Sequence, residues 1–154
     1  MAIYLPALLI GIVAGLRALT APAAVSWTAY LGGLSLQGSW LAFLGFAATP
    51  YILTVLAAVE LVADQLPSTP SRKSPPGFGA RIVTGGLCGT ALGVVGGAWL
   101  GGLAAGVIGA VIGTLGGYAA RMRLAAVFGR DLPAALIEDF VAIVGAAVIL
   151  LVFA

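Results

Sequence analysis

Small residues recur at every fourth position of the chain from Gly85 to Gly117, within an otherwise aliphatic segment. The positions are Gly85, Gly89, Gly93, Gly97, Gly101, Ala105, Gly109, Gly113 and Gly117. In water, each glycine costs a helix about 1 kcal/mol relative to alanine. In a bilayer the backbone has no other hydrogen-bond partner, so the helix forms nevertheless, and the small stripe lets a neighbouring helix approach to backbone contact. The stripe therefore predicts membrane helices packed as a glycine zipper.

The composition supports the same class of protein. Hydrophobic residues form 62% of the 154 residues and charged residues only 8%, whereas soluble domains carry about 25% charged residues. The mean hydropathy is +1.17. We therefore predict one all-α transmembrane domain over residues 1–154, a polytopic helix bundle in contact with membrane lipids. The net charge of +2 comes from few charged residues and does not indicate a nucleic-acid partner.

The sequence contains no constellation of residues typical of an enzyme. It has no histidine, which removes the commonest metal ligand and general base. The single cysteine, Cys88, lies in an apolar segment, and neither a Gly-x-Ser-x-Gly elbow nor a phosphate-binding P-loop is present. We expect neither catalysis nor a cofactor, and the sequence leaves metal binding open.

The apolar segments predict five membrane spans. Single helices over 3–30 and 82–120 would be about 42 Å and about 58 Å long, too long for a hydrocarbon core of about 30 Å. Pro22 is expected to break or kink the first helix, and a turn is expected to divide the second. The predicted spans are 3–19 with an extension toward Tyr30, 40–64 with a kink at Thr49–Pro50, two within 82–120 around a turn at 99–102, and 133–154.

The basic residues orient these spans. Six of the seven fall in the two loops on one side, namely Arg72, Lys73, Arg81, Arg121, Arg123 and Arg130. The positive-inside rule makes that side cytoplasmic. Trp27, Trp40 and Trp99 fall at the opposite interface, where tryptophan is enriched. We therefore expect a cytoplasmic N-terminus.

Two segments of the chain are weakly similar to each other. The spacing Gly11-x-x-x-Gly15 is repeated by Gly113-x-x-x-Gly117, and a basic residue follows each. In a five-span chain the two segments would run in opposite directions, as in inverted-repeat transporters. The acidic residues do not follow the repeat, so the sequence leaves open whether an inverted repeat exists.

Charged residues near the span ends are the main functional signal, because a charge at the membrane centre costs about 2.5–3.5 kcal/mol. Two acidic pairs and two arginines are expected at a similar depth in the cytoplasmic half: Glu60, Asp64, Glu138, Asp139, Arg121 and Arg123. The first acidic pair is spaced i, i+4 and shares a helix face. Two interpretations remain open, a structural ion-pair network and a proton site, cation site or acid–arginine gate.

Arg17 is expected deeper in the bilayer, with no acidic partner at its own depth. It lies about 20 Å along the first helix by helical rise, next to Thr20 and Pro22. One interpretation is an arginine that extends to the headgroups of the opposite interface. The other is an arginine at a broken helix that binds an anionic group, such as a carboxylate or a phosphate.

The proline-rich connector over 65–77 offers a further candidate site. Its hydroxyl and basic side chains, among them Thr69, Ser71 and Arg72, are suited to a phosphate or an anionic lipid headgroup. The alternative is a stiff cytoplasmic loop whose positive charges only set the orientation of the spans.

The segment Glu60-Leu-Val-Ala-Asp-Gln-Leu-Pro-Ser-Thr-Pro-Ser-Arg72 resembles a family of small bacterial integral-membrane proteins known only as a domain of unknown function. The stretch Gly15-Leu-Arg17-x-x-Thr-Ala-Pro22 and the Glu138-Asp139 pair are similar to the same family. The resemblance implies a bacterial inner-membrane setting and no assigned activity. It also implies that one site is formed by Arg17, Thr20, Pro22, Glu60, Asp64, Thr69, Pro70, Ser71, Arg72, Glu138 and Asp139.

These observations predict a small transporter or channel for an ion or a small anionic solute, assembled as a homodimer. The four acids of the cluster would carry protons or coordinate a cation, and Arg17 or Arg72 would meet an anionic group. The alternative is a non-transporting membrane protein, a lipid-binding or assembly factor whose charged residues form a structural network.

Overall fold

The computed structural model describes residues 3–66 and 73–153, and this part of the chain is helical without a β-strand. The α-helices are α1 (Tyr4–Leu16), α2 (Thr20–Tyr30), α3 (Thr49–Ala63), α4 (Pro75–Val95), α5 (Trp99–Phe128) and α6 (Asp131–Phe153). Three of them, α4 to α6, are long and apolar enough to cross a membrane, and α1 and α3 are shorter apolar helices. The predicted all-α helical bundle is confirmed, and the length and hydropathy of these three helices support a membrane protein.

The ends of the long helices follow from local sequence. Pro75 and Pro76 open α4, where a missing amide hydrogen costs nothing. Gly97 and Gly129 adopt positive φ angles of 70° and 65°, the left-handed conformation that ends helices. The turn between α4 and α5 therefore lies at 96–98, just before the predicted 99–102. Pro50 is the second residue of α3 rather than a kink within it, so the predicted span 40–64 is a shorter helix preceded by a loop.

The first helix lies inside the bundle and runs parallel to α5. Tyr4 contacts Gly101 near the start of α5, and Gly15 lies against Thr114 farther along it. A Cβ at Gly109 or Gly113 would overlap the backbone of α1. Any side chain larger than hydrogen would prevent this close approach. The glycines of α5 therefore allow α1 to occupy the centre of the bundle.

The fourth and fifth helices pack through a second set of glycines. A Cβ at Gly89 would overlap the Gly102 carbonyl, and one at Gly106 would overlap the Gly85 carbonyl. The stripe of α4 thus meets Gly102 and Gly106, which lie one residue off the predicted stripe of α5. The small-residue stripe therefore joins α4 to α5 within one chain.

The second helix reverses the direction of the first. Arg17, at the end of α1, pairs with Asp139 near the start of α6, while Trp27, near the end of α2, lines a groove with Leu150 near the end of α6. Since α6 returns antiparallel to α5 after the turn at Gly129, α1 and α2 are the two arms of a hairpin. We call residues 17–19 the hairpin apex.

This hairpin differs from the single interrupted span expected from residue 3 to Tyr30. The break falls at the apex, where Arg17 has extended backbone angles of φ −138° and ψ 114°, and not at Pro22, which is the third residue of α2. The two glycine-spaced segments near Gly11 and Gly113 run parallel and face each other. An inverted repeat requires opposite directions, so these segments are not related in that way.

Candidate functional site

The hairpin apex lies within a cluster of charged side chains, which we call the charged cluster. It comprises Arg17, Glu60, Asp64, Arg81, Arg121, Asp131, Glu138 and Asp139. These include all five acidic residues of the chain. They come from the end of α3, the second turn of α4, the last part of α5 and the first part of α6, so five segments of the chain meet at one height. The two acidic pairs, which the sequence predicts at a similar depth, are brought together in this cluster.

Arg17 is the centre of the charged cluster. Its side chain is completely buried. The guanidinium forms ion pairs with Asp64 and Asp139, and Nε donates a hydrogen bond of 2.6 Å to Asp139 Oδ1. The expectation that Arg17 has no acidic partner at its depth is therefore wrong. That expectation assumed one span through residue 17. Because α1 and α2 instead form a hairpin and α1 runs parallel to α5, Arg17 lies at the level of the acids.

Glu60 accepts hydrogen bonds from the backbone amides of the hairpin apex. Its Oε1 accepts a hydrogen bond of 2.8 Å from the Ala18 amide, and its Oε2 accepts one of 2.8 Å from the Leu19 amide. These amides precede α2 and have no helical carbonyl partner. A carboxylate is favoured there because the start of a helix carries partial positive charge. Glu60 thus replaces the backbone partners that the reversal removes, and it pairs with no basic side chain of the described residues.

Asp64 links the apex to α4 and α5. Besides its ion pair with Arg17, its Oδ2 lies 3.8 Å from Arg81 Nη2. Arg81 is buried and also donates from Nη1 to the Gly77 carbonyl at 3.0 Å. The Asp64 backbone carbonyl lies 3.4 Å from Arg121 Nη2. One aspartate therefore connects three arginines of three different segments.

Arg121 closes the opposite side of the charged cluster. It donates to both carboxylate oxygens of Asp131, from Nε at 2.9 Å and from Nη2 at 2.5 Å, which is a bidentate pair. Its Nη1 lies 3.6 Å from Glu138 Oε2. Asp131 is the more exposed partner, so this pair forms the rim of the cluster while Glu138 belongs to its interior.

A recess of about 420 Å³ opens onto the apex between α3 and α4. Its polar lining includes Glu60, Asp64, Ser74, Arg81 and Thr84. A second, smaller recess of about 120 Å³ reaches Arg121 and Glu138 between α5 and α6. Recesses thus reach the charged cluster from two sides, while Arg17 between them remains enclosed.

The other predicted site residues lie in different environments. Thr20 and Pro22 are buried in the first turn of α2, but the Thr20 hydroxyl has no hydrogen-bond partner among the described residues. Arg123 is exposed on α5 and makes no ion pair with a described residue, so it lies outside the charged cluster. Three further candidates, Thr69, Ser71 and Arg72, lie outside the described residues, as does Pro70.

Two members of the charged cluster were missed as site residues. Arg81 was treated as a loop charge, because α4 was expected to begin at residue 82 rather than at Pro75. Asp131 precedes Pro133, the predicted start of the last helix, and it belongs instead to the first turn of α6. A proline pair as a helix start and an acid in a first turn are the signals that would have found both.

Comparisons of this chain with protein-family models, with curated protein sequences and with solved structures give no match. The resemblance to a small bacterial membrane family stays a prediction from the sequence. Function therefore has to be argued from the geometry of the charged cluster.

Proposed function

We propose that this chain is a small integral membrane transporter or channel for an ion, and that its site is the part of the charged cluster at the hairpin apex. The hairpin apex carries this proposal. There, Glu60 binds two freed backbone amides beside a recess, inside a bundle of otherwise apolar helices. Irregular backbone at membrane depth is tolerated only against protein or a water-filled cavity, and interrupted helices with ionisable side chains form the ion sites of many transporters.

The charges around the larger recess favour a proton or a cation over a small anionic solute. Two carboxylates, Glu60 and Asp64, line it, and the one arginine among its described lining residues, Arg81, is engaged by Asp64 and a backbone carbonyl. The Ala18 and Leu19 amides before α2 are already bound by Glu60. The start of α4 lacks two amide hydrogens because it begins with Pro75 and Pro76. Few donors therefore remain for an anion.

We place the charged cluster at the cytoplasmic face of a bacterial inner membrane. The described basic residues all lie at this end of the bundle: Arg17, Lys73, Arg81, Arg121, Arg123 and Arg130. The positive-inside rule supports this orientation. The start of α1 then lies on the opposite side, so the proposal departs from the cytoplasmic N-terminus and from the five-span path expected from the sequence. The six helices alternate in direction instead.

The close glycine contacts support a glycine zipper between α4 and α5 in lipid, with a second contact between α1 and α5. A homodimer, predicted from the sequence, would use another surface, since these glycines are occupied within one chain. Chemical crosslinking in native membranes, followed by mass measurement, tests the homodimer. We propose neither catalysis nor a cofactor for this chain.

Flux measurements in proteoliposomes test the transport proposal. Wild type and Glu60→Gln are compared across protons and a panel of monovalent cations and small anions, at two pH values. Asp131→Asn is the matched control, because it also removes one carboxylate from the charged cluster but at the exposed rim. We expect Glu60→Gln to abolish a cation or proton flux that Asp131→Asn retains. No flux of any tested ion in wild type, or equal flux in all three proteins, contradicts the proposal.

One observation favours a second function, that of a non-transporting lipid-binding or assembly protein. Arg17 is completely enclosed and paired by Asp64 and Asp139, as in a purely structural network. If this is the function, Arg17→Met disrupts the fold while wild-type liposomes remain impermeable to every ion tested. Flux that depends on Glu60 excludes it.

A further inference from the structure

Residues 31–48 form an irregular segment at the end of the bundle opposite the charged cluster. The segment connects α2 to α3 and contains one short 3-10 helix, Ala42–Gly45. No charged residue occurs between Arg17 and Glu60, so the whole segment is uncharged. A connecting loop in water usually carries charged residues, and this one carries none.

Three of the most exposed side chains of this segment are large and apolar, and its exposed polar side chains, Ser35 and Gln37, are uncharged. Leu31 is 75% exposed, Trp40 66% and Phe46 61%. The inward side chains are leucines that pack into the core of the bundle, namely Leu34, Leu36, Leu41 and Leu44. The segment is therefore anchored from within and presents a fixed aromatic and aliphatic surface outward, which continues into the exposed apolar face of α3.

Several backbone groups of the segment are hydrogen-bonded to residues of the flanking helices. The amides of Gly33 and Leu34 donate to the Thr28 carbonyl, and Ser26 Oγ donates to the Leu44 carbonyl at 2.5 Å. Thr49 Oγ1 donates to the Phe43 carbonyl at 2.6 Å. Irregular backbone is stable near hydrocarbon only when its groups are bonded in this way.

The height of the bundle leaves room for the segment in the bilayer. From Asp139 in the charged cluster to Phe153, α6 rises about 21 Å, and the rise from Arg81 to Val95 in α4 is also about 21 Å. A hydrocarbon core is about 30 Å thick. The segment lies beside the last turn of α6, where it shares a groove with Leu150, so its distance of about 21 Å from the charged cluster is less than the thickness of the hydrocarbon core.

We propose that residues 31–48 are embedded in the leaflet opposite the charged cluster, with Leu31, Trp40 and Phe46 among the lipid headgroups and the upper acyl chains. Aromatic side chains are enriched at that depth. The segment offers no charge to pair with a charged headgroup, so neutral and zwitterionic lipids suffice. This surface is independent of whether the charged cluster transports an ion.

Thiol accessibility in lipid nanodiscs tests the proposal, because both membrane faces are then open to reagent. In a Cys88→Ala background, Phe46→Cys is compared with Val127→Cys, which replaces a side chain that is 80% exposed at the end of α5. A membrane-impermeant maleimide should label the Phe46→Cys protein about tenfold more slowly, because a thiolate is disfavoured in apolar surroundings. Both proteins should react equally in SDS. Equal rates in nanodiscs overturn the proposal.

Tryptophan quenching provides a second measurement with a smaller change to the segment. Trp27→Phe/Trp99→Phe leaves Trp40 as the single tryptophan, and Trp27→Phe/Trp40→Phe leaves Trp99 at the start of α5 as the reference. Lipids brominated near the headgroup should quench Trp40 at least as strongly as Trp99, and aqueous iodide should quench it no more strongly. Iodide quenching of Trp40 that exceeds that of Trp99, without quenching by brominated lipid, overturns the proposal.

Discussion

The two ends of this bundle are stabilised by different physical means. At one end, eight charged side chains from five segments form ion pairs and charged hydrogen bonds at the hairpin apex and around it. At the other, the uncharged segment 31–48 is stabilised by buried leucines and by its own backbone hydrogen bonds. The charged end defines where helices begin, end and reverse, whereas the uncharged end only has to be apolar and internally bonded.

The largest effect is expected where α1, which joins the two ends, meets α5. Gly113→Leu forces a side chain into the Ile12 backbone, so α1 cannot occupy the centre and both ends lose their support. We expect no folded protein. The matched control is Gly116→Leu on the same helix, where a Cβ meets nothing within 4 Å. Yield and monodispersity after detergent extraction measure the difference, and a well-folded Gly113→Leu protein contradicts this packing.

A large but more local effect is expected at the charged end. Arg17→Met leaves the buried Asp139 and the part-buried Asp64 without their main partner, and breaking a buried ion pair costs about 3–5 kcal/mol. Arg123→Met removes an exposed arginine outside the charged cluster and should change stability by less than about 0.5 kcal/mol. SDS titration in mixed micelles gives both free energies of unfolding.

The same arginine provides a rescue experiment. Adding Asp139→Asn to Arg17→Met removes one of the two carboxylates left without a partner and should recover part of the lost stability. If the double variant is as unstable as the sum of the two single variants, the ion pair between Arg17 and Asp139 contributes nothing measurable.

The sequence predicts the long apolar helices and the meeting of the acids well, because both follow from short-range patterns. Hydropathy identifies α4, α5 and α6, and the i, i+4 spacing of Glu60 and Asp64 places both on one face. The hairpin apex could not be predicted from such short-range patterns. It depends on Glu60, a carboxylate about 40 residues farther along the chain, which accepts hydrogen bonds from the amides of Ala18 and Leu19. No local pattern near Arg17 indicates that partner.

A moderate effect is expected when the apex loses its charged acceptor. Glu60→Gln keeps a carbonyl for one amide but places an NH₂ group against the other, and hydrogen bonds to a charged group contribute about 1.5–3 kcal/mol each. We expect Gln to destabilise the chain by roughly one such bond, and Asp131→Asn, at the exposed rim, by less than about 1 kcal/mol. Amide hydrogen exchange adds a local readout, since Ala18 and Leu19 should exchange faster in Glu60→Gln. Unchanged exchange there contradicts the role of Glu60 at the apex.

The smallest effect is expected at the uncharged end, in the turn between α4 and α5. Gly97 has a φ of 70°, and an L-residue in that conformation costs about 1–2 kcal/mol, so Gly97→Ala should lower stability by about 1 kcal/mol. Gly116→Ala lies in open space within a regular helix and should raise stability by up to about 1 kcal/mol. Opposite signs for the same chemical change would show that the turn, and not the loss of glycine itself, determines the effect.

The charged end should be unaffected, so the hydrogen exchange of Ala18 and Leu19 should be the same in Gly97→Ala as in wild type. A change there would mean that the two ends are coupled through α4 rather than stabilised separately.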